Sequence, residues 1–199
     1  MSDILHKLIY HFEQLPGIGP RQARRLTYSL LRRSRSDLQE FGTLLQNLRG
    51  NVHECPTCGL YHTDSEKECS FCRNPNRDNT ALMIVEKDAD METVEGSGLY
   101  DGRYLILGGV LPISGKNQVR DQLVRHALKH RISNGLTEII LGLSATTEGE
   151  QTREYVTDLI TPLLPPEVRI SILGRGFATG TELEYSDTET LRSALENRK

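Results

Sequence analysis

A chain of 199 residues, 37% hydrophobic and 26% charged, has room for one medium domain with small appendages, and its composition is that of a soluble protein. No apolar run approaches the roughly 20 residues a membrane span needs, and the opening residues read as an amphipathic helix instead of an export signal, which points to the cytoplasm. The net charge of -3 is unevenly spread: residues 1–50 carry eight Lys/Arg against four Asp/Glu, and the rest of the chain carries 16 against 23. A polyanionic partner is therefore expected at the amino-terminal end only.

Ile4, Leu5, Leu8, Ile9 and Phe12 recur at helical spacing and predict a helix over 3–14. Leu15-Pro16-Gly17-Ile18-Gly19-Pro20 breaks it, with Gly17 and Gly19 permitting backbone angles that other residues resist. Pro20 suits the first position of a second helix with Ala23, Leu26, Leu30 and Leu31 as its apolar face. Helix, glycine turn and helix together resemble a helix-hairpin-helix DNA-binding motif. The chemistry agrees, because a glycine turn entering a helix offers free N–H groups and a positive dipole end to a phosphate. Arg21, Arg25 and Arg32 follow one helical edge with Arg24 beside them, and Gln14 to Ser36 holds six arginines and no acid. Such contacts grip the backbone without reading bases. The bland alternative is a helical hairpin with a solvated arginine face. Residues 37–50 predict a further helix built on Leu38, Phe41, Leu44, Leu45 and Leu48.

Cys55, Cys58, Cys69 and Cys72 follow, spaced C-x2-C-x10-C-x2-C, and the chain has no other cysteine. Two C-x2-C turns can aim four thiolates into one tetrahedral shell suited to one structural Zn²⁺ per chain. The polar stretch from Gly59 to Glu68 cannot build a core, so the ion would supply about 10 kcal/mol of folding free energy. Two disulfides, a redox dithiol, an iron–sulfur cluster and free cysteines are the competing readings. His53 and His62 lie nearby and read as solvated loop residues, since four sulfurs already close a structural site.

After a polar linker at Asn74–Asn79, strands at 81–85, 104–107, 138–143 and 168–173 alternate with helices at 88–96, 117–132 and 151–164. That alternation predicts a mainly parallel sheet with helices on both faces, an α/β class. Ser186 and Glu189 form a capping box for a last helix carrying Leu191 and Leu195. The glycines at 109 and 115 miss phosphate-loop spacing by one residue, and Asn117 stands where that loop needs Ser or Thr.

Strand-end carboxylates in such a sheet are where metal-dependent phosphoryl transfer belongs. Here Glu86 ends the first strand, and Ser144-Ala-Thr146-Thr-Glu148-Gly-Glu150 follows the third. The arrangement resembles the Toprim domain of topoisomerases and primases, whose enzymes carry D-x-D and then G-E at this loop. Ser144 and Thr146 occupy the two aspartate positions, and neutral hydroxyls do not replace anionic ligands for a hard cation. Glu148 and Glu150 then read as acids opening a helix. The alternative is a Mg²⁺-dependent nuclease, topoisomerase or primase using Glu86, Glu148 and Glu150, with Asp88 and Asp90 close to Glu86 in sequence.

The order L-P-G-I-G-P, C-x2-C…C-x2-C, Toprim and then Leu183-Glu-Tyr-x-Asp187-x-x-Thr190-Leu191 resembles the RecR family of bacterial recombination mediators over essentially the whole chain. The resemblance implies a non-enzymatic DNA clamp forming a homotetrameric ring, with RecO and RecF as partners in loading RecA at single-strand gaps. It places DNA contacts on Arg21 and Arg25, zinc on the four cysteines and a partner surface around Glu148; the glycine turn and helix add Gly17, Gly19 and Arg24 as expected DNA-binding residues, and Glu86 and Glu150 join the expected partner surface. It also implies four regions: 1–53 helix-hairpin-helix, 54–78 zinc finger, 79–175 Toprim, and 176–199 a carboxy-terminal segment for subunit assembly. Leu111–Gly115 and Ala178 depart from the family's usual Ser-Pro-Leu-Asp-Gly and G-x-P-x-G stretches. A zinc-ribbon interaction module without a DNA role is a third reading.

Overall fold

The computed structural model describes residues 3–112, 118–174, 180, 182, 184 and 188–196. Residues 113–115, Ala178, Leu183, Ser186 and Asp187, and the side chain of Glu189, lie outside it, and with them the end of the first divergent segment, the divergent Ala178 and the expected capping box. The chain divides into two compact units, Met1–Val52 and His53–Lys199.

In the first unit, α1 (Asp3–Glu13) and α2 (Pro20–Leu30) form a hairpin, followed by α3 (Arg35–Asn51). Gly17 takes φ +76, the left-handed region that favours glycine, and Ile18 N–H donates to the Leu15 carbonyl at 3.1 Å to close the turn. Gly19 is the N-cap of α2 in an extended conformation, and Pro20 opens the helix. Among the described residues of this unit only Ala23 and Thr27 are buried. Thr27 takes the inward place expected of larger residues because its hydroxyl donates to the Ala23 carbonyl at 3.0 Å, while Leu31 is 63% exposed. Ser34 caps α3 by accepting from Asp37 N–H at 3.1 Å. The stripe Leu38, Phe41, Leu44, Leu45 and Leu48 along α3 is exposed.

The second unit is organised around a four-stranded parallel sheet in the order β4 (Arg103–Ile106), β3 (Ala81–Val85), β5 (Glu138–Gly142), β6 (Arg169–Ile172). β3 is central and covered on both faces, which is why Ala-Leu-Met-Ile-Val is apolar without alternation. Its side chains divide by strand period. Leu82 and Ile84 join Leu105, Ile139 and Leu141 against α6 (Asp121–Ile132) and α7 (Thr147–Ile160). Met83 and Val85 join Tyr104 and Ile106 on the opposite face, where Met91 of α5 (Asp88–Ser97) meets Cys55, Cys58, Leu60 and Cys69. The cysteine ribbon, comprising the pair β1 (His53–Glu54) and β2 (Tyr61–His62) and the short α4 (Ser70–Arg73), is thus one wall of the sheet's core. Its backbone is tied there by Ile106 N–H donating to the Cys58 carbonyl at 2.8 Å.

Two helices begin away from their expected starts. α6 opens at Asp121 and not near 117, because Arg120 is held outside it: its N–H donates to the Leu107 carbonyl at 3.1 Å and its guanidinium to the Gly59 carbonyl at 2.8 Å. α7 opens at Thr147, four residues earlier than the Gln151 start, because the Thr146 hydroxyl accepts from Gly149 N–H at 3.1 Å and caps it. A methyl group at buried Gly149 would fall on the Ser144 carbonyl. Gly149→Ala is therefore expected to cost about 2 kcal/mol or more through overpacking and to displace the 143–146 loop, checked by denaturant unfolding. The last described element, α8 (Thr188–Glu196), leaves Leu195 exposed.

Candidate functional site

Three groups of residues carry chemistry. The first is the exposed face of α2. Pro20 sets the helix start and Ala23 and Thr27 fix which side is buried, so Arg21, Arg24, Arg25 and Arg32 emerge on the side away from that seam. They line one open depression of about 870 Å³ together with Tyr28 and Ser29. Sequence alone brings these arginines together, but it did not single out Tyr28, which is 53% exposed among them. Gly17 and Gly19 differ in a telling way. Gly17 needs its positive φ, whereas Gly19 has an ordinary φ of -82 and open space where a side chain would be. Nothing within the unit requires glycine at 19. A bare N-cap in front of four arginines leaves the first N–H groups of α2 open to a close-approaching anion.

The second group is the cysteines. All four sulfurs lie within 4.8 Å of one another, and Cys58 Sγ and Cys69 Sγ are 3.6 Å apart. Tetrahedral coordination at about 2.3 Å sets sulfurs about 3.8 Å apart, whereas a disulfide needs about 2.05 Å, so the donor set fits a single structural metal ion. The four are free cysteines, three of them fully buried. Hydrogen bonding between Cys55 and Cys58 holds the Cys55 thiol well below its usual range and drives Cys58 well above it. A cation in place of the shared protons removes that conflict. The C-x2-C turns do the positioning: Gly59, at φ +80, returns the chain so that its N–H donates to the Cys55 carbonyl at 2.8 Å. His62 corrects the expectation of a solvated residue. Its side chain is 6% exposed, packs edge-on to His53 and has Asp64 at 3.7 Å, because β2 turns that face inward.

The third group is at the carboxyl ends of β3 and β5. Glu86 is buried and accepts from Ser144 N–H at 2.7 Å, which fixes the β5–α7 loop. Ser144 and Thr146 share a hydroxyl hydrogen bond of 3.1 Å, and Thr146 also caps α7. Glu86 and Glu148 line an open depression of about 560 Å³ with Lys87, Val110 and Pro112, while Glu150 pairs with Arg153 along α7. Asp88 accepts from Tyr61 N–H, and Asp90 caps α5 by accepting from Lys87 N–H. Among the described residues, the cysteines are the group of three or more acid, His or Cys side chains whose ligand atoms converge; the acids are not gathered this way.

Sequence reasoning also missed three arginines around the ribbon. Arg120, Arg103 and Arg131 come from distant segments, and no local pattern marks them.

Comparison with known proteins agrees with this geometry. A family model described as "RecR, helix-hairpin-helix" matches residues 5–49, and one described as "Toprim domain" matches residues 80–174. "Recombination protein RecR" of Lactobacillus helveticus (strain DPC 4571) is 35% identical over 193 residues, covering 96% of this chain and 94% of that protein. "Recombination protein RecR" of Synechococcus sp. (strain WH7803) is 38% identical over 197 residues, covering 98% and 95%. With the hairpin, the cysteine cluster and the parallel sheet in the same order, the chain belongs to the RecR family of recombination proteins.

Proposed function

We propose that this protein is a recombination mediator that binds DNA without sequence preference and performs no strand chemistry itself. The observation that carries the reading is the acid-free arginine face of α2 behind an uncapped glycine, a phosphate-gripping surface at the basic end of an otherwise acidic chain. Gly17, Gly19, Arg21, Arg24 and Arg25 are the proposed DNA contacts. The test separates fold from ligand approach. Gly19→Ala is expected to leave stability within about 1 kcal/mol, as at other N-caps, and to weaken DNA binding in a gel-shift titration. Gly17→Ala should lose stability as well, because its left-handed turn is strained for any side chain. Equal DNA binding by Gly19→Ala and wild type would count against the hairpin as the contact.

The proposed active unit is a homotetrameric ring in the cytoplasm. The exposed apolar stripe on α3, in a unit whose described residues include only two buried ones, supports assembly, since such a stripe is stabilised by burial against another copy. A ring also presents one weak basic face several times, which raises affinity by avidity. Among the described residues no helix is long and apolar enough to cross a membrane. The family resemblance supports RecO and RecF as partners in loading RecA at gaps, with the Glu86, Glu148 and Glu150 surface as the proposed docking area. The metal proposed for the cysteines is Zn²⁺, in a structural role.

The absence of catalysis is supported by the loop after β5, where Thr146 is used as a helix cap and Glu86 as an acceptor for backbone N–H. Incubation with Mg²⁺ and nicked, gapped or single-stranded DNA should give no cleavage or joining, and Glu86→Gln should change nothing in that assay. Turnover that disappears in Glu86→Gln would promote the Mg²⁺-dependent enzyme reading.

A further inference from the structure

Two arginines in the second unit are buried without a counter-ion. Arg103 is 5% and Arg131 4% exposed, and among the described residues neither pairs with a carboxylate. Arg103 spends its donors on neutral acceptors: the Phe71 carbonyl at 2.7 Å, the Cys72 carbonyl at 3.1 Å, Asn79 Oδ1 at 2.9 Å and, more weakly, the Arg77 carbonyl at 3.5 Å. Arg131, in the last turn of α6, directs Nη2 at the Cys72 sulfur, 3.6 Å away. Both guanidinium groups thus reach the same residue, Arg103 at the Cys72 carbonyl and Arg131 at its sulfur. An isolated buried cation is strongly unfavourable, and two close together more so, unless negative charge lies beside them.

Asp78 lies within electrostatic reach of Arg103, but among the described residues the group that both guanidiniums touch is Cys72. Four thiolates around a divalent cation carry a net charge of two negative units, and two guanidinium groups neutralise it; four neutral thiols or two disulfides would leave Arg131 uncompensated and Arg103 with Asp78 alone. We infer that Arg103 and Arg131 are the counter-charges of the four-cysteine centre and govern how firmly it holds a divalent cation. Both are positioning residues, acting through Cys72 and its backbone and not as metal ligands. Because Arg103 reaches the ribbon from β4 and Arg131 from α6, the same contacts anchor the centre to the sheet. The inference rests on the reading of the cysteines as a metal site.

The experiment uses the full chain. Bound zinc is measured per chain, and its release to a chromogenic chelator is followed over a pH series for wild type, Arg131→Gln, Arg131→Met and Arg131→Lys. Protons compete with the cation for thiolates, so loss of a positive neighbour raises the pH at which metal leaves. Expected is release about tenfold or more faster for Gln and Met, with the pH midpoint shifted upward, and substantial rescue by Lys. Met preserves apolar packing and Lys preserves charge, so their difference separates charge from filling space even if Gln folds poorly. A Co²⁺-loaded sample provides a second readout, since the sulfur-to-cobalt charge-transfer band should move in Met and less in Lys. Metal-loaded wild type with indifferent variants overturns the arginine assignment alone. Wild type that binds no zinc overturns the metal reading and this inference together.

Discussion

Replacing Arg21 and Arg25 together by Ala should weaken binding to duplex and single-stranded DNA about tenfold or more at low salt, with the fold retained. Both side chains are exposed on α2, and neither belongs to the buried Ala23–Thr27 seam, so helix packing loses nothing. Each phosphate contact removed should also flatten the dependence of log affinity on log salt by about 0.9, so the double variant should lose about 2 from the slope per engaged subunit. The proposed ring would multiply the effect, because every subunit would lose the same face. Binding titrations at several salt concentrations read affinity and slope together. An unchanged slope with reduced affinity would mean a folding defect or a contact of another kind.

The second large effect concerns the proposed zinc site at the four cysteines. Cys58→Ser, or exhaustive chelation, should abolish stoichiometric zinc and destabilise the whole second unit, including elements far from the ribbon in sequence. The cause is shared packing: Cys55, Cys58 and Cys69 are buried against Met83, Val85, Tyr104 and Ile106, so a ribbon that opens uncovers one face of the sheet. Structural zinc contributes about 10 kcal/mol or more of folding free energy in small domains, comparable to the whole stability of many proteins. Thermal melts with and without chelator, paired with limited proteolysis, should show cuts near 53–78 together with early loss of the sheet, while α1 and α2 persist. A sheet that melts unchanged after zinc removal would contradict the shared core.

Much of this was legible in the sequence because the signals are local. The C-x2-C pairs, the Pro-Gly-Ile-Gly-Pro turn and the apolar run at Ala81–Val85 each encode their geometry within a few residues. The parallel sheet and its flanking helices followed from alternation of strands and helices. What escaped depends on contacts between distant segments. Arg120 delays α6 because it bonds to Leu107 and Gly59, and no window around residue 120 reveals that. Glu148 and Glu150 read correctly as first-turn acids of α7, but the cap that sets its start, Thr146 on Gly149, lies in a stretch of Ser, Ala and Thr that reads as loop. His62 reads as solvated because four sulfurs already close the site without it, yet the turn from Gly59 brings its strand against His53. The glycine pair was legible as a turn, but the difference between a conformational need at 17 and open space at 19 is set by how the folded hairpin bends.

The most direct measurement is to mix the purified chain with a gapped duplex in Mg²⁺ and determine the mass of the complexes and the integrity of the DNA in the same sample. The expected result is several copies of the chain, four for a closed ring, on DNA whose strands are uncut, with the complexes dissolving as salt rises. Single chains that leave the gapped DNA free at low salt, or strands cut or joined at a rate that Glu86→Gln removes, would contradict it.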